Sequence, residues 1–128
     1  MAAIELKVQG LDELRAKFTR LEMEEIIGRG LYAGAMGIYN ELRIYPPTLP
    51  NQRYQRTFRL RSGWHVIGNG LLWRVRNDTS YSREVQDRDY QRRIFEGRWP
   101  TAQDVTERRA PEVRDAVQRE IEVSLRGF

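Results

Sequence analysis

Ser62 and His65 stand close in sequence, with Gly63 and Trp64 between them, and a serine beside a histidine is the first pairing to weigh as hydrolytic chemistry. A nucleophilic serine needs an imidazole within hydrogen-bond reach and an acid to orient that imidazole. Here the residues from Trp64 onward alternate as a strand, which turns the two side chains apart, and no acid stands near them in sequence. Glu84, Asp87, Asp89 and Glu96 are numerous enough to surround a divalent cation. They are interleaved with Arg83, Arg88, Arg92, Arg93 and Arg98, a pattern that reads as surface ion pairs. The glycines at 28, 30, 34 and 37 form no phosphate loop, because no Gly-Lys-Ser/Thr follows and their context is helical. The chain has no cysteine, which removes disulfides, thiolate zinc sites and cysteine nucleophiles together, and its one histidine cannot build a His-rich metal centre. The expectation is a protein without catalytic residues, cofactor or metal.

Arginine is the chemistry that remains. Leu42 to Asn77 holds Arg43, Arg53, Arg56, Arg59, Arg61, Arg74 and Arg76 and no acid, whereas outside that stretch 15 basic residues face 18 acidic ones. The formal charge of +4 is therefore a local feature, one positive face on a mildly acidic body. Of the 22 basic residues only Lys7 and Lys17 are lysine. Arginine stays charged and offers a planar fork of donors to carboxylates and phosphates, so this bias suits docking surfaces, as it also suits a GC-rich genome. Upstream of the hairpin, Tyr45-Pro46-Pro47-Thr48-Leu49-Pro50 begins an extended, proline-containing loop at about 44–57. Prolines remove amide donors and favour extended backbone. The expected contact set is Tyr45, Pro46, Pro47, Pro50, Arg53, Tyr54, Arg56, Phe58, Arg59, Arg61, Arg74 and Arg76.

These side chains need a scaffold to hold them. At 128 residues and 40% hydrophobic, the chain suits one domain over 1–128. Ile4, Leu6 and Val8 alternate with polar residues as a short strand ending at Gly10. Leu11, Leu14, Phe18 and Leu21 then fall on one face of a first helix, and Ile27, Leu31, Ala35, Ile38 and Leu42 on one face of a second at about 24–43. The glycines of that second helix each cost about 1 kcal/mol relative to alanine, so something packs closely against it. That neighbour is either the sheet or the first helix of the same domain, or a helix of another subunit.

Trp64 and Val66 alternate on one strand, Trp73 and Val75 on the next, with Gly68-Asn69-Gly70 expected as a three-residue loop. This places Trp64 near Trp73 and turns His65, Arg74 and Arg76 to the opposite face. Tyr81 to Val85 reads as a further short strand. Thr101 and Asp104 form a capping pattern that opens a long C-terminal helix, which Pro111 is expected to divide or kink. The fold class is α+β: a small antiparallel sheet with a central hairpin, packed against two N-terminal helices and the C-terminal helix. The longest apolar run, Leu31 to Tyr39, is far below the roughly 20 residues of a membrane span, and the opening residues lack a secretion pattern. An intracellular protein with no membrane partner is expected.

The order of these signals resembles one family. GLDEL at 10–14, a small-residue second helix, a proline break, RTFRLRSGW at 56–64, YSREV at 81–85 and GRWPTAQDV at 97–105 follow one another over nearly the whole chain. Together they resemble the tail-completion, or head-tail joining, proteins of tailed bacteriophages. Phe58 stands where that family has glycine, and Ser82 where it has alanine. The resemblance implies a non-enzymatic virion protein of the neck or upper tail, assembled in the host cytoplasm as a homo-oligomeric ring, with six copies expected. Its partners would be other neck, adaptor and tail-tube proteins, and phage DNA in a lumen. From the residues alone a second reading stays open. Tyr54, Phe58, Trp64 and His65 among arginines also suit a nucleic-acid-binding protein, or a toxin-type ribonuclease using His65 and Tyr54.

Overall fold

The computed structural model describes residues 5–47 and 59–127. Its backbone is organised by two long helices, α2 (Arg20–Leu42) and α5 (Ala102–Arg126). They run antiparallel: Gly30 lies against Val117, Gly34 against Val113, Arg29 pairs with Glu120, and Glu41 meets Arg108 and Arg109. Two of the helix glycines let this contact form. A Cβ on Gly34 would sit 2.8 Å from the Val113 methyls, and one on Gly30 would meet Val117 N at 2.8 Å and its Cα closer still. The close neighbour thus lies inside the domain, and for these two residues it is the C-terminal helix.

Each long helix starts on a threonine. Thr19 accepts from the Glu22 amide at 3.2 Å while Glu22 accepts from the Thr19 amide at 3.0 Å, a reciprocal cap. That cap corrects the N-terminal reading. It starts a new helix at Arg20, so α1 is only Leu11–Lys17, Phe18 is extended, and Leu21 sits on α2 with 65% of its surface exposed. Thr101 caps α5 by accepting from the Asp104 amide at 3.1 Å. Of the two outcomes expected at Pro111, a division or a kink, the division does not occur: α5 is one helix from Ala102 to Arg126. Pro111 is exposed, while Val105 and Val113 on either side of it are buried in the core with Ile38 and Leu42 of α2. Packing on both sides offsets the lost amide bond.

The predicted first strand is also corrected. Residues 5–9 keep the alternation, with Leu6 and Val8 half-buried and their neighbours exposed, yet they pair with no strand among the described residues. A side chain takes the place of a partner strand. Gln118 accepts from the Gln9 amide at 2.8 Å and donates to the Gln9 carbonyl at 3.1 Å, and Arg114 donates to the Lys7 carbonyl at 3.1 Å. Gln118→Leu is expected to cost about 1–2 kcal/mol through the unpaired Gln9 groups. It should also speed hydrogen exchange at the Gln9 amide; unchanged protection there would contradict this role.

Strands β1 (Trp64–Asn69) and β2 (Leu72–Asn77) form the antiparallel hairpin. Their register leaves Gly70-Leu71 as a two-residue turn, with Gly70 at φ 53, instead of the three-residue loop expected. The same register separates the tryptophans: Trp64 opposes Asn77 and Trp73 opposes Gly68, at opposite ends of the ladder. Trp64 is buried with Ile38, Leu42, Val105 and Val113. Trp73 is half-buried, donates its indole N–H to the Gly70 carbonyl at 3.0 Å and packs 5.1 Å from the Tyr32 ring. The hairpin lies on α2, where Gly28 leaves room for the turn; a Cβ there would be 2.6 Å from the Gly70 oxygen.

Residues between the hairpin and α5 form two short turns of helix, α4 (Ser82–Gln86) and a 3-10 turn at Arg93–Phe95. The expected strand at 81–85 is instead the short helix α4, with Tyr81 at its N-cap; of the two expected anchors Val85 is buried and Tyr81 is exposed. Leu60, Val85 and Trp99 make a separate apolar cluster with Tyr45 and Phe95. Glutamine amides tie its irregular backbone, Gln91 donating to Val85 and Trp99 carbonyls and Gln86 to that of Pro100. The whole is α+β, five helices and a two-stranded antiparallel sheet among the described residues.

Arg88 fastens this region to α5, gripping Glu107 with both terminal nitrogens at 3.1 and 2.9 Å and also reaching Asp104. The Thr101 hydroxyl and Arg88 hold the Asp104 carboxyl below its ordinary range, and Arg88 does the same to Glu107. A carboxyl with a lowered folded pKa adds stability that is full above its unfolded pKa and lost as pH falls through the folded value. The melting temperature should therefore fall below about pH 4, and Arg88→Ala should flatten part of that decline. An acid limb unchanged in the variant would contradict the assignment.

Candidate interaction surface

The arginines of the hairpin and of the turn before it owe their exposure to local geometry. On β2, Trp73, Val75 and Asn77 face α2 and the core, so the pleat sends Leu72, Arg74 and Arg76 outward, and His65 and Ile67 on β1 join them. Arg59 and Arg61 sit on the single helical turn α3 (Arg59–Ser62), whose Leu60 is buried while both arginines are exposed. Two contacts fix that turn. The Arg61 amide donates to the Tyr45 hydroxyl at 3.1 Å, and Asn77 donates to the Leu60 carbonyl at 2.7 Å.

Ion pairs gather on the two long helices and at Arg88, whereas the surface pairs expected among Arg83, Arg92, Arg93, Arg98 and Glu84, Asp87, Asp89, Glu96 do not form among the described residues; Arg88 alone of that set pairs, and with Asp104 and Glu107 of α5. Along α2 and α5 most arginines meet carboxylates, among them Arg29 with Glu120, Arg108 and Arg109 with Glu41, Arg109 with Glu112, and Arg114 with Asp115. Among the described residues, Arg59, Arg61 and Arg74 have no ion-pair partner, and Arg76 reaches only Asp78, at 3.1 Å. Arg43 lies over the Tyr39 ring at 4.9 Å. The surface thus offers, at Arg59, Arg61 and Arg74, cationic donors without ion-pair partners among the described residues, of a chemistry that suits carboxylates or phosphates.

The expected contact residues separate in space. Arg59, Arg61, Arg74 and Arg76 are exposed, and Pro47 is exposed beside a half-buried Pro46. Tyr45 belongs to its own core instead: its ring meets Trp99 at 4.9 Å and its hydroxyl carries the Arg61 amide. Pro50, Arg53, Tyr54, Arg56 and Phe58 lie outside the described residues.

Sequence reasoning missed one acid. Asp78 follows directly on β2, and the turn of the chain brings it to 3.1 Å from His65 Nε2, so His65, Asp78 and Arg76 form an exposed trio. Its signal was available: in a hairpin with a short loop, the residue after the second strand returns beside the start of the first. Among the described residues, no group of three or more histidines and carboxylates is placed to hold a metal ion, and no helix is long and apolar enough to cross a membrane. No family model, curated protein or solved structure matches the chain.

Proposed function

We propose that this chain is a structural subunit of a tailed bacteriophage particle, forming a ring of about six copies at the neck or upper tail that completes the tail and joins it to the head. The observation that carries the reading is the exposed set Arg59, Arg61, Arg74 and Arg76, mounted on a fixed hairpin and turn and mostly without acids of its own to meet. The ordered motifs from GLDEL to GRWPTAQDV supply the likeness to head-tail joining proteins. In this role the arginines dock on carboxylates of adjoining neck, adaptor or tail-tube proteins, and those not so engaged face DNA in the channel. The protein performs no bond chemistry.

The test is the double variant Arg74→Glu with Arg76→Glu. Both side chains point away from the core, so the melting temperature should move by no more than about 5 °C, while joining of tails to heads fails. Normal joining by a stably folded variant would remove the docking role.

A second reading draws on the His65 and Asp78 pair. A carboxylate on one imidazole nitrogen is the arrangement that orients a general base, and neighbouring arginines could bind a phosphodiester. Cleavage of RNA by the purified protein, abolished in His65→Ala, would establish this alternative and overturn the structural one.

A further inference from the structure

A cleft of about 710 Å³ opens between the first half of α2 and the hairpin turn. Its lining includes the paired rings of Trp73 and Tyr32, Gly70 of the turn, Glu24 and Glu25, and an exposed Leu21. The cationic residue of the lining, Arg29, is already engaged by Glu120 at 3.2 Å. Glu24 shares Arg20 at 3.4 Å, and Glu25 is exposed with no ion-pair partner among the described residues. Tilted aromatic faces with carboxylates beside them favour a guanidinium, which can lie over a ring while donating to an acid.

We infer that this cleft receives the arginine-bearing turn α3 of a second copy of the chain, through Arg59 and Arg61; the inference rests on the ring reading and names the surfaces that would close it. The two surfaces lie at opposite ends of the hairpin. Turn α3 leads into the strand at Trp64, whereas the cleft is beside Gly68 to Gly70. Six strand residues at about 3.3 Å each put roughly 20 Å between those ends, so Arg59 and Arg61 cannot enter the cleft of their own subunit. A donor at one end and an acceptor at the other give a head-to-tail contact, the kind that closes into rings. Charge complementarity and position together favour this occupant: exposed arginines without ion-pair partners among the described residues at one end of the hairpin, carboxylates and aromatic rings at the other.

Sedimentation equilibrium of the purified full chain tests this. The chain should associate at low salt and dissociate as salt is raised. Glu24→Lys with Glu25→Lys, and separately Arg59→Glu with Arg61→Glu, should each lower the association constant by about tenfold or more. Mixing the two double variants should restore association, because each reversed surface then meets its complement. Thermal unfolding checks that both variants fold, and Glu24→Gln with Glu25→Gln is the gentler substitute, with a smaller loss expected. A chain that stays monomeric throughout at low salt, association indifferent to the cleft variants, or a mixture that does not recover would each overturn the inference. Association through the cleft by a protein absent from any particle would sustain the inference and sink the neck reading. Particle rings that form normally from the cleft variants would do the reverse.

Discussion

Replacing Gly30 with alanine is expected to destabilise the fold by about 2 kcal/mol or more, even though alanine is the better helix former by about 1 kcal/mol. The reason is the neighbour. A methyl group at this position would meet backbone of α5, Val117 N at 2.8 Å and its Cα closer, and a helix backbone cannot rotate away as a side chain can. The two long helices would have to separate along their whole contact, loosening the clusters around Ile26, Leu14 and Ile121. Gly37→Ala is the matched control, since its nearest neighbour is the far end of Arg109 at 3.3 Å. It should be neutral, or stabilising by up to about 1 kcal/mol. Urea unfolding of both variants decides the matter: a Gly30→Ala protein more stable than the parent would mean that α2 and α5 are not so closely apposed.

The largest single loss is expected for Trp64→Ala, about 3–5 kcal/mol. Trp64 is 5% exposed and fills the junction where the hairpin meets both long helices, against Ile38, Leu42, Val105 and Val113. Trp64→Phe should recover much of the loss, because it keeps a ring in the cluster and deletes an indole N–H that has no acceptor among the described residues. Trp73→Ala should cost less, about 1–2 kcal/mol, since this ring is half-buried at the rim of the cleft and removing it empties less of the core. Equal losses at 64 and 73 would show that the hairpin register is not the one described.

The contrast between these tryptophans shows what the sequence carries and what it does not. Alternation told correctly which face of each strand is wet, because the strand period ties Trp64, Val66, Trp73 and Val75 to one side and Arg74, Arg76 and His65 to the other. It could not set the register. That depends on the turn, and Gly68, Asn69 and Gly70 allow both a two-residue and a three-residue connection. The helix glycines were legible as a sign of close packing, but a glycine carries no mark of its partner, so α5 emerged only in three dimensions. The N-terminal strand failed for a similar reason: apolar alternation at Leu6 and Val8 records half-burial, while Gln118, more than a hundred residues away, satisfies the backbone. The arginine surface was visible from the sequence alone, since charge needs no register, whereas Asp78 stands thirteen positions after His65 and only the hairpin pairing brings the two together.

The most direct measurement is imaging of assembled phage particles with this subunit located in the density. The expected result is a closed ring of about six copies at the junction of head and tail, with Arg59 and Arg61 of each subunit toward the cleft of the next and Arg74 and Arg76 toward an adjoining ring or the channel. Absence of the protein from the particle, or its presence there as a single copy or a twofold dimer, would contradict it.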